Sequence, residues 1–246
     1  GGKELGYASD LDLVYLYEDD DQEAGENYTR LGQRLNTWLS SQTPAGMLFE
    51  TDMRLRPNGD SGLLVVSVDS FRDYQLKNAW VWEHQALTRA RFCAGDPAVG
   101  KRFEEIRCEI LRQPRDLAKL KEEVVTMRKK MIDAHASNSE TEFGLKHDPG
   151  GIVDVEFIVQ YLVLGYAAQH PSLTGNLGNI ALLRIAAELG LIDPQQAEAA
   201  GNAYREYRRL QHAKRLTATP KARIPIEEVE KHIKAVRGLW QAVFEA

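Results

Sequence analysis

Residues 9–17 read Ser-Asp-Leu-Asp-Leu-Val-Tyr-Leu-Tyr, and this stretch decides how the first part of the chain folds. From Leu11 to Tyr17 only Asp12 is polar, which is typical of a strand that is buried on both faces. Asp10 and Asp12 are two residues apart, and a strand projects such side chains from the same face. Neighbouring carboxylates repel each other unless a divalent cation binds between them, so the stretch predicts a cation site. In the alternative interpretation, Asp10 caps a turn and Asp12 is a solvated strand end.

A second strand is predicted at residues 46–57, which read Gly-Met-Leu-Phe-Glu-Thr-Asp-Met-Arg-Leu-Arg-Pro. Apolar or small residues alternate here with charged ones, and a period of two is the signature of a strand. The charged face includes Asp52, which we expect to add a third carboxylate to Asp10 and Asp12. Three acids on adjacent strands suit two Mg²⁺ ions that position a nucleoside triphosphate for in-line displacement.

Arg54 and Arg56 share the predicted strand face of Asp52. A cation beside Mg²⁺ is useful only if a polyanion is also bound, and guanidinium groups bind phosphate oxygens in pairs. We therefore expect both arginines to bind the triphosphate. The alternative is internal salt bridging of the arginines to Glu50 or Asp10.

A glycine pair, Gly1-Gly2, precedes the first strand. Glycine permits close approach of the backbone to phosphate oxygens, as in other glycine-rich phosphate loops. We expect this pair to bind the phosphates of the nucleotide. Because the chain begins with Gly-Gly instead of Met, we also expect it to be part of a longer polypeptide.

The sequence after Val68 shows no further strand pattern and is divided by prolines, as in helical proteins. A helix is also expected at 27–40, and a short strand at 63–67. The later helices are predicted at 69–78, 80–92, 97–112, 116–136, 152–169, 178–189, 194–215 and 226–244. The prediction is an α+β fold with a small α/β domain at residues 1–112 and an all-α domain at residues 113–246.

One predicted helix, Ile152 to Ala168, is apolar on nearly every side, which marks it as buried. Asp154 lies in its first turn, and Glu156 and Gln160 form a polar stripe at a spacing of four. A buried carboxylate must be paired or face a polar cleft. We therefore expect Asp154 and Glu156 to face the active-site cleft and to contact the substrate loop or a metal-bound water. For Asp154, a favourable interaction with the helix dipole is the alternative.

Composition excludes several other classes of protein. The 246 residues include 31 Lys and Arg against 36 Asp and Glu, so no broad basic surface for nucleic acid is expected. The two cysteines, Cys93 and Cys108, do not have metal-ligand spacing and are expected to be ordinary thiols of a reducing cytoplasm. The most apolar stretch is too short and too polar to span a bilayer. We expect a cytoplasmic protein that binds neither nucleic acid nor membrane.

Four separated motifs resemble the glutamine synthetase adenylyltransferase family. They are GGKELGYASDLDLVYLY at 1–17, GMLFETDMRLRP at 46–57, WVWEHQALTRAR at 80–91 and GGIVDVEFIVQYL at 150–162. The resemblance implies a nucleotidyltransferase domain of the polymerase β type with a small mixed sheet, truncated at its N-terminus, followed by an all-α helical bundle. The first and third motifs resemble the C-terminal half of these enzymes, which attaches AMP to glutamine synthetase.

The resemblance also implies roles for individual residues. Asp10 and Asp12 match the paired metal carboxylates, and Asp52 matches the third carboxylate, which would bind the metal nearer the nucleophile and assist proton loss. Gly1 and Gly2 match the phosphate-binding glycines. Further nucleotide-binding residues are expected to be Ser9, Arg54 and Arg56. The implied reaction is attack by a tyrosine hydroxyl of glutamine synthetase on the α-phosphate of Mg²⁺-bound ATP, with pyrophosphate as the leaving group.

Two other functions remain open at this stage. One is the opposite reaction, phosphorolytic removal of AMP from glutamine synthetase, or nucleotide transfer to another protein such as the PII signal protein. The other is a non-enzymatic regulatory module that binds the PII signal protein. Contact with that protein is otherwise expected through the full-length enzyme.

Overall fold

A computed structural model describes residues 4–7, 9–47, 49–137, 139–217 and 222–245. These residues form an α+β structure in which helices predominate and the strands pair in two-stranded sheets. They divide into two compact units. The first unit contains residues 9–110, and the second contains residues 4–7 together with the described residues from 111 onward. The predicted domain boundary lay after residue 112, and the prediction placed residues 4–7 in the first domain.

Six short strands lie in the described part of the first unit. They are β1 (Leu11–Asp12), β2 (Tyr15–Tyr17), β3 (Gln42–Thr43), β4 (Gly46–Met47), β5 (Thr51–Asp52) and β6 (Val65–Ser67). The segment that the sequence predicts as one strand buried on both faces is instead two short strands, none of whose residues is fully buried. It pairs twice, because β1 is parallel to β5 and β2 is parallel to β6. Antiparallel pairing joins β3 to β4. Parallel pairing of β1 with β5 brings the beginning of the first strand to the acidic residue of β5.

The prediction of one continuous strand over 46–57 was wrong, because β4 and β5 are separate strands with different partners and β5 ends at Asp52. The backbone N–H of Arg54 donates to Oδ1 of Asp52 at 2.8 Å, which is a turn of the kind that aspartate side chains stabilise. Asn58 then adopts a left-handed conformation with φ of 61°, and residues 59–61 form a 3₁₀ turn. Arg54 and Arg56 consequently lie in a turn and not on a strand face. The alternation of side chains predicts a strand, but it does not reveal the local hydrogen bonds from side chains that form a turn here.

Four helices complete the first unit: α1 (Ala24–Ser40), α2 (Val68–Lys77), α3 (Val81–Leu87) and α4 (Pro97–Leu111), whose last residue belongs to the second unit. The Oγ of Ser67 accepts a hydrogen bond from the N–H of Ser70 and caps α2. Gly32 lets α1 pack closely on the strands, because a Cβ at this position would lie 2.9 Å from Cγ2 of Val65. This packing holds α1 against the pair formed by β2 and β6.

The second unit contains α5 (Leu117–His135), α6 (Ile152–Tyr166), α7 (Asn179–Glu188), α8 (Pro194–Leu216) and α9 (Ile226–Phe244). Asp116 and Asp193 cap α5 and α8 through their carboxylates. As predicted, α6 is buried along most of its length. No helix among the described residues is long and apolar enough to cross a membrane.

The prediction that the second part is all-α was wrong in one place. Strand β7 (Glu142–Gly144) pairs with strand β8 (Arg223–Pro225) in an antiparallel ladder, and the buried side chains of Phe143 and Ile224 lie at matched positions. Each strand has three residues, which is too short for a period of two to be recognised in the sequence.

Candidate active site

The fold brings together the three acidic residues that the sequence singled out in the first unit. Asp12 and Asp52 are partners in the parallel register of β1 and β5, and Asp10 precedes β1 by one residue. The N–H groups of Leu11 and Leu13 fix this register by donating to the carbonyls of Glu50 and Asp52 at 2.8 and 2.9 Å. Each aspartate offers one carboxylate oxygen, and these oxygens all lie within 4.8 Å of one another.

The electrostatic environments of these carboxylates differ. Partial loss of water around its carboxylate, followed by the charges of Asp10 and Asp52, raises the pKa of Asp12, and Arg54 opposes this shift. The pKa of Asp52 is lowered, chiefly by hydrogen bonds from the Arg54 side chain. Concentrated negative charge is costly for Asp12, and a bound cation would relieve that cost.

This set of donors fits Mg²⁺. The ion prefers oxygen ligands, binds through one or two carboxylates and keeps several water molecules. Asp10 and Asp12 are exposed, which leaves room for water and for substrate phosphates, while Asp52 is half-buried and held by its own turn. The three carboxylates therefore provide ligands of the right chemistry on a side that remains open.

Arg54 forms a fork with the third carboxylate. Its Nε donates to Oδ1 and Oδ2 of Asp52 at 3.0 and 2.8 Å, and its Nη2 also contacts Oδ2. The sequence left a choice between phosphate binding and a salt bridge to Glu50 or Asp10. The salt bridge in the structure is made with Asp52, next to Asp10 and Asp12.

Arg56 forms hydrogen bonds within the turn that follows Asp52. Its guanidinium donates to the carbonyls of Met53, Asp60 and Gly62 at 3.0, 3.1 and 3.3 Å. Its side chain is only 13% exposed. Arg56 thus holds together the loop that follows Asp52, and its assignment to phosphate binding stays a prediction. Nothing in the alternation of residues 46–57 distinguishes this role from phosphate binding.

The remaining predicted nucleotide-binding residues lie upstream of Asp10. Ser9 is half-buried and immediately precedes Asp10 in the chain. Gly1 and Gly2 lie outside the described residues. Their assignment to phosphate binding stays a prediction.

Asp154 belongs to a buried ion pair inside the second unit. Its Oδ1 accepts from Nε of Arg128, and its Oδ2 accepts from the N–H of Gly150. Arg128 also donates to the carbonyl of His147 at 2.8 Å. Burial raises the pKa of Asp154, and the charge of Arg128 opposes this shift. The contacts of Asp154 are those of a residue that stabilises the start of α6.

Glu156, two residues further along α6, lies near a network that the sequence did not predict. Its Oε1 is 3.5 Å from the hydroxyl of Tyr204, which donates to Oε2 of Glu4 at 2.9 Å. Asn179 donates to the same Glu4 oxygen at 3.2 Å, and Arg208 donates to the Glu4 carbonyl at 2.7 Å. Residues 4–7 are thereby attached to α7 and α8. The partners are 175–204 positions apart in the chain, and no local pattern joins them.

Comparison with known protein families gives two matches that together span nearly the whole chain. Residues 1–106 match the family described as glutamate-ammonia ligase adenylyltransferase, and residues 118–242 match the family described as GlnD PII-uridylyltransferase. The first match contains all three clustered aspartates, and the second contains most of the helical unit.

Curated relatives agree with the first match. The chain is 65% identical over 244 residues to the bifunctional glutamine synthetase adenylyltransferase/adenylyl-removing enzyme of Aromatoleum aromaticum, covering 99% of this chain and 26% of the relative. Proteins of the same name from Nitrosomonas europaea and Burkholderia mallei are 56% and 54% identical, and the chain covers 28% and 27% of them. It thus spans about a quarter of the length of these relatives. By its motifs, its family matches and these identities, the chain belongs to the glutamine synthetase adenylyltransferase family.

Proposed function

We propose that the chain contributes the AMP-transferring site of a glutamine synthetase adenylyltransferase, and that it belongs to the C-terminal, adenylylating half of such an enzyme. The observation that carries the proposal is the register of β1 and β5. It brings one carboxylate oxygen from each of Asp10, Asp12 and Asp52 within 4.8 Å of the others, close enough to bind one ion. The whole enzyme acts on glutamine synthetase and ATP. It also binds the PII signal protein, and residues 118–242, which give the second family match, belong to the part that does so.

The fold proposed for residues 1–112 is a nucleotidyltransferase domain of the polymerase β type. The parallel pairs β1–β5 and β2–β6, with an acidic residue on each strand of the first pair, support this assignment. Residues 113–246 would then be the associated helical domain. This division accords with the compact units, apart from residues 4–7 and the two residues before 113.

In the reaction, a tyrosine hydroxyl oxygen of glutamine synthetase forms a bond to the α-phosphorus of ATP, and the bond from that phosphorus to the bridging oxygen of pyrophosphate breaks. The phenolic proton leaves to solvent or to a carboxylate. Asp10 and Asp12 would hold Mg²⁺, which supplies charge stabilisation at the phosphoryl oxygens. Ser9 and the glycine pair Gly1-Gly2 would orient the phosphates through their polar and backbone groups.

The electrostatics of Asp52 favour one of the two roles that the resemblance implies for it. A general base works best when its pKa lies near the working pH, and the ordinary pKa of an aspartate, about 4, is already well below neutral. Asp52 is therefore a better ligand than base. We assign it to metal binding. A cation held there would lower the pKa of a nearby hydroxyl, and the tyrosine proton would leave to solvent.

The opposite reaction has a specific argument in its favour, because the relatives are named as bifunctional and the chain covers only about a quarter of them. Phosphorolysis of AMP-tyrosine is a separate reaction, in which inorganic phosphate attacks the α-phosphorus, the bond to the tyrosine oxygen breaks and ADP is released. It would still suit a site of clustered carboxylates, because charge also develops on the phosphoryl oxygens in its transition state. The substrate that turns over distinguishes the two reactions. A non-enzymatic module would leave the clustered aspartates without a role.

The test is to incubate the full-length protein that contains this chain with unmodified glutamine synthetase, Mg²⁺ and ATP, and in parallel with AMP-modified glutamine synthetase and inorganic phosphate. Mass spectrometry of the target tyrosine reports either reaction. We expect gain of AMP that disappears in Asp12→Ala, while the phosphorolysis reaction persists in that variant through the rest of the enzyme. Loss of phosphorolysis alone in Asp12→Ala would assign the chain to the removing reaction and contradict the proposal.

A further inference from the structure

Both oxygens of the Asp52 carboxylate are bound by Arg54. The guanidinium contacts Oδ1 and Oδ2 through Nε, with Nη2 also on Oδ2, and the backbone N–H of Arg54 donates to Oδ1. A metal ion that takes Asp52 as a ligand needs at least one of these oxygens. The guanidinium and a second cation therefore compete for the same atoms.

The two partners differ in their freedom to move. The Asp52 side chain is 14% exposed, whereas that of Arg54 is 71% exposed. Arginine carries its charge on a flexible stem that water can surround. The backbone bond from Arg54 to Oδ1 does not depend on the guanidinium, so Asp52 keeps its orientation when the side chain of Arg54 moves away. Arg54 is thus the mobile partner of a fixed carboxylate.

Charge balance indicates when this movement is favourable. Asp10, Asp12 and Asp52 carry three negative charges, and Arg54 reduces the local total to two, which one divalent cation neutralises. A second divalent cation would add excess positive charge beside a guanidinium. A nucleoside triphosphate reverses this balance, because it brings several negative charges and offers phosphate oxygens to which arginine binds bidentately.

We propose that Arg54 exchanges Asp52 for the triphosphate, so that binding of the nucleotide and binding of the second cation at Asp52 depend on each other. Before the nucleotide binds, Asp10 and Asp12 hold one cation and Arg54 occupies Asp52. When the triphosphate binds, Arg54 moves to its phosphates and releases Asp52 as a ligand. Arg54 is a positioning residue in this scheme, and the inference rests on the proposed function of the acidic cluster.

The experiment counts bound Mn²⁺ on the full chain by electron paramagnetic resonance of the free ion, with and without the uncleavable analogue α,β-methylene-ATP. The wild type should bind one Mn²⁺ alone and a second only with the analogue. Arg54→Ala should bind the second ion without the analogue, about tenfold more tightly than the wild type, and should bind the analogue about tenfold more weakly. Arg54→Lys keeps the charge without the fork and should fall between them.

Arg30→Ala is the matched control, because Arg30 is also an exposed arginine of the first unit but pairs with Glu26. It should bind Mn²⁺ and the analogue as the wild type does. Identical Mn²⁺ isotherms for Arg54→Ala, Arg54→Lys and the wild type in the absence of the analogue would overturn the exchange. Asp12→Asn tests the proposed function separately: if this variant keeps wild-type Mn²⁺ binding, the acidic cluster is not the metal site, whatever Arg54 does.

Discussion

Asp12 lies directly opposite Asp52, because β1 and β5 pair in parallel in the register that also matches Leu11 with Thr51. A shift of one residue in this register would turn the two side chains to opposite faces of the sheet. The candidate site thus depends on backbone pairing as much as on the identity of the acids. The sequence identifies the residues, and the ladder between two short strands brings them together.

Removal of one charge from the acidic pair should abolish most of the activity. In Asp10→Asn or Asp12→Asn, the side chain keeps its size but becomes a poorer ligand for a divalent cation. We expect AMP transfer to slow by at least about a hundredfold, the scale for loss of a preorganised electrostatic group. The measurement is the initial rate of AMP incorporation by the full-length enzyme at saturating ATP. Near-normal rates in either variant would exclude a metal-dependent mechanism at this cluster.

The raised pKa of Asp12 predicts how stability depends on pH in the absence of divalent cations. A carboxyl with a raised folded-state pKa binds its proton more readily in the folded protein than in the unfolded one. Its ionisation therefore destabilises the fold above that pKa, and the penalty disappears as pH falls toward the ordinary aspartate value. With a chelator present, Asp12→Asn should raise Tm at neutral pH but hardly at about pH 4. An equal Tm change at both pH values would argue against this electrostatic strain.

Arg56 should matter for stability more than its position in a turn suggests. Arg56→Met keeps the aliphatic stem but leaves the carbonyls of Met53, Asp60 and Gly62 without its guanidinium. We expect a loss of about 1–3 kcal/mol in the free energy of unfolding, the usual cost of breaking such contacts. Arg30→Met removes an exposed ion pair and should cost much less. Urea unfolding of both variants gives the comparison. Equal losses in the free energy of unfolding would show that the hydrogen bonds of Arg56 stabilise the protein no more than an exposed ion pair does.

Removing one partner of the buried pair Arg128 and Asp154 should destabilise the protein strongly, whereas replacing both partners by apolar residues should destabilise it little. Their side chains are 1% and 6% exposed, so Asp154→Asn leaves a buried guanidinium without its counter-ion. We expect a loss of about 3–5 kcal/mol in the free energy of unfolding, and a much smaller loss when Arg128→Met and Asp154→Leu are combined. Urea unfolding again provides the measurement. If the combined variant were as unstable as Asp154→Asn, the pair would contribute more than charge compensation.

Helices of the second unit were predicted almost to the residue because their signals are local. Proline and aspartate mark the beginning of α8, and the predicted limits of α9, 226 and 244, are those of the structure. A helix of 19 residues contains several periods of its apolar pattern, which makes its recognition reliable.

Strands and polar networks were harder to predict. The strand at β5 has two residues, and its apparent continuation through Arg56 is a turn that side-chain hydrogen bonds stabilise. The pairing of Arg54 with Asp52, in place of Glu50 or Asp10, depends on that turn. Motif recognition still identified the three clustered aspartates, because each keeps its chemistry whatever the exact length of its strand.

The attachment of Glu4 to Asn179, Tyr204 and Arg208 sets an order for folding during synthesis. Tyr204 is 200 positions downstream of Glu4, so a ribosome that adds about 5–20 residues per second needs roughly 10–40 s to make it after Glu4 emerges. Throughout that interval, residues 4–7 have no native partners on α7 and α8. The segment that leads into the acidic strand therefore reaches its final place among the last parts of the chain, after the strands that follow it in sequence have been made.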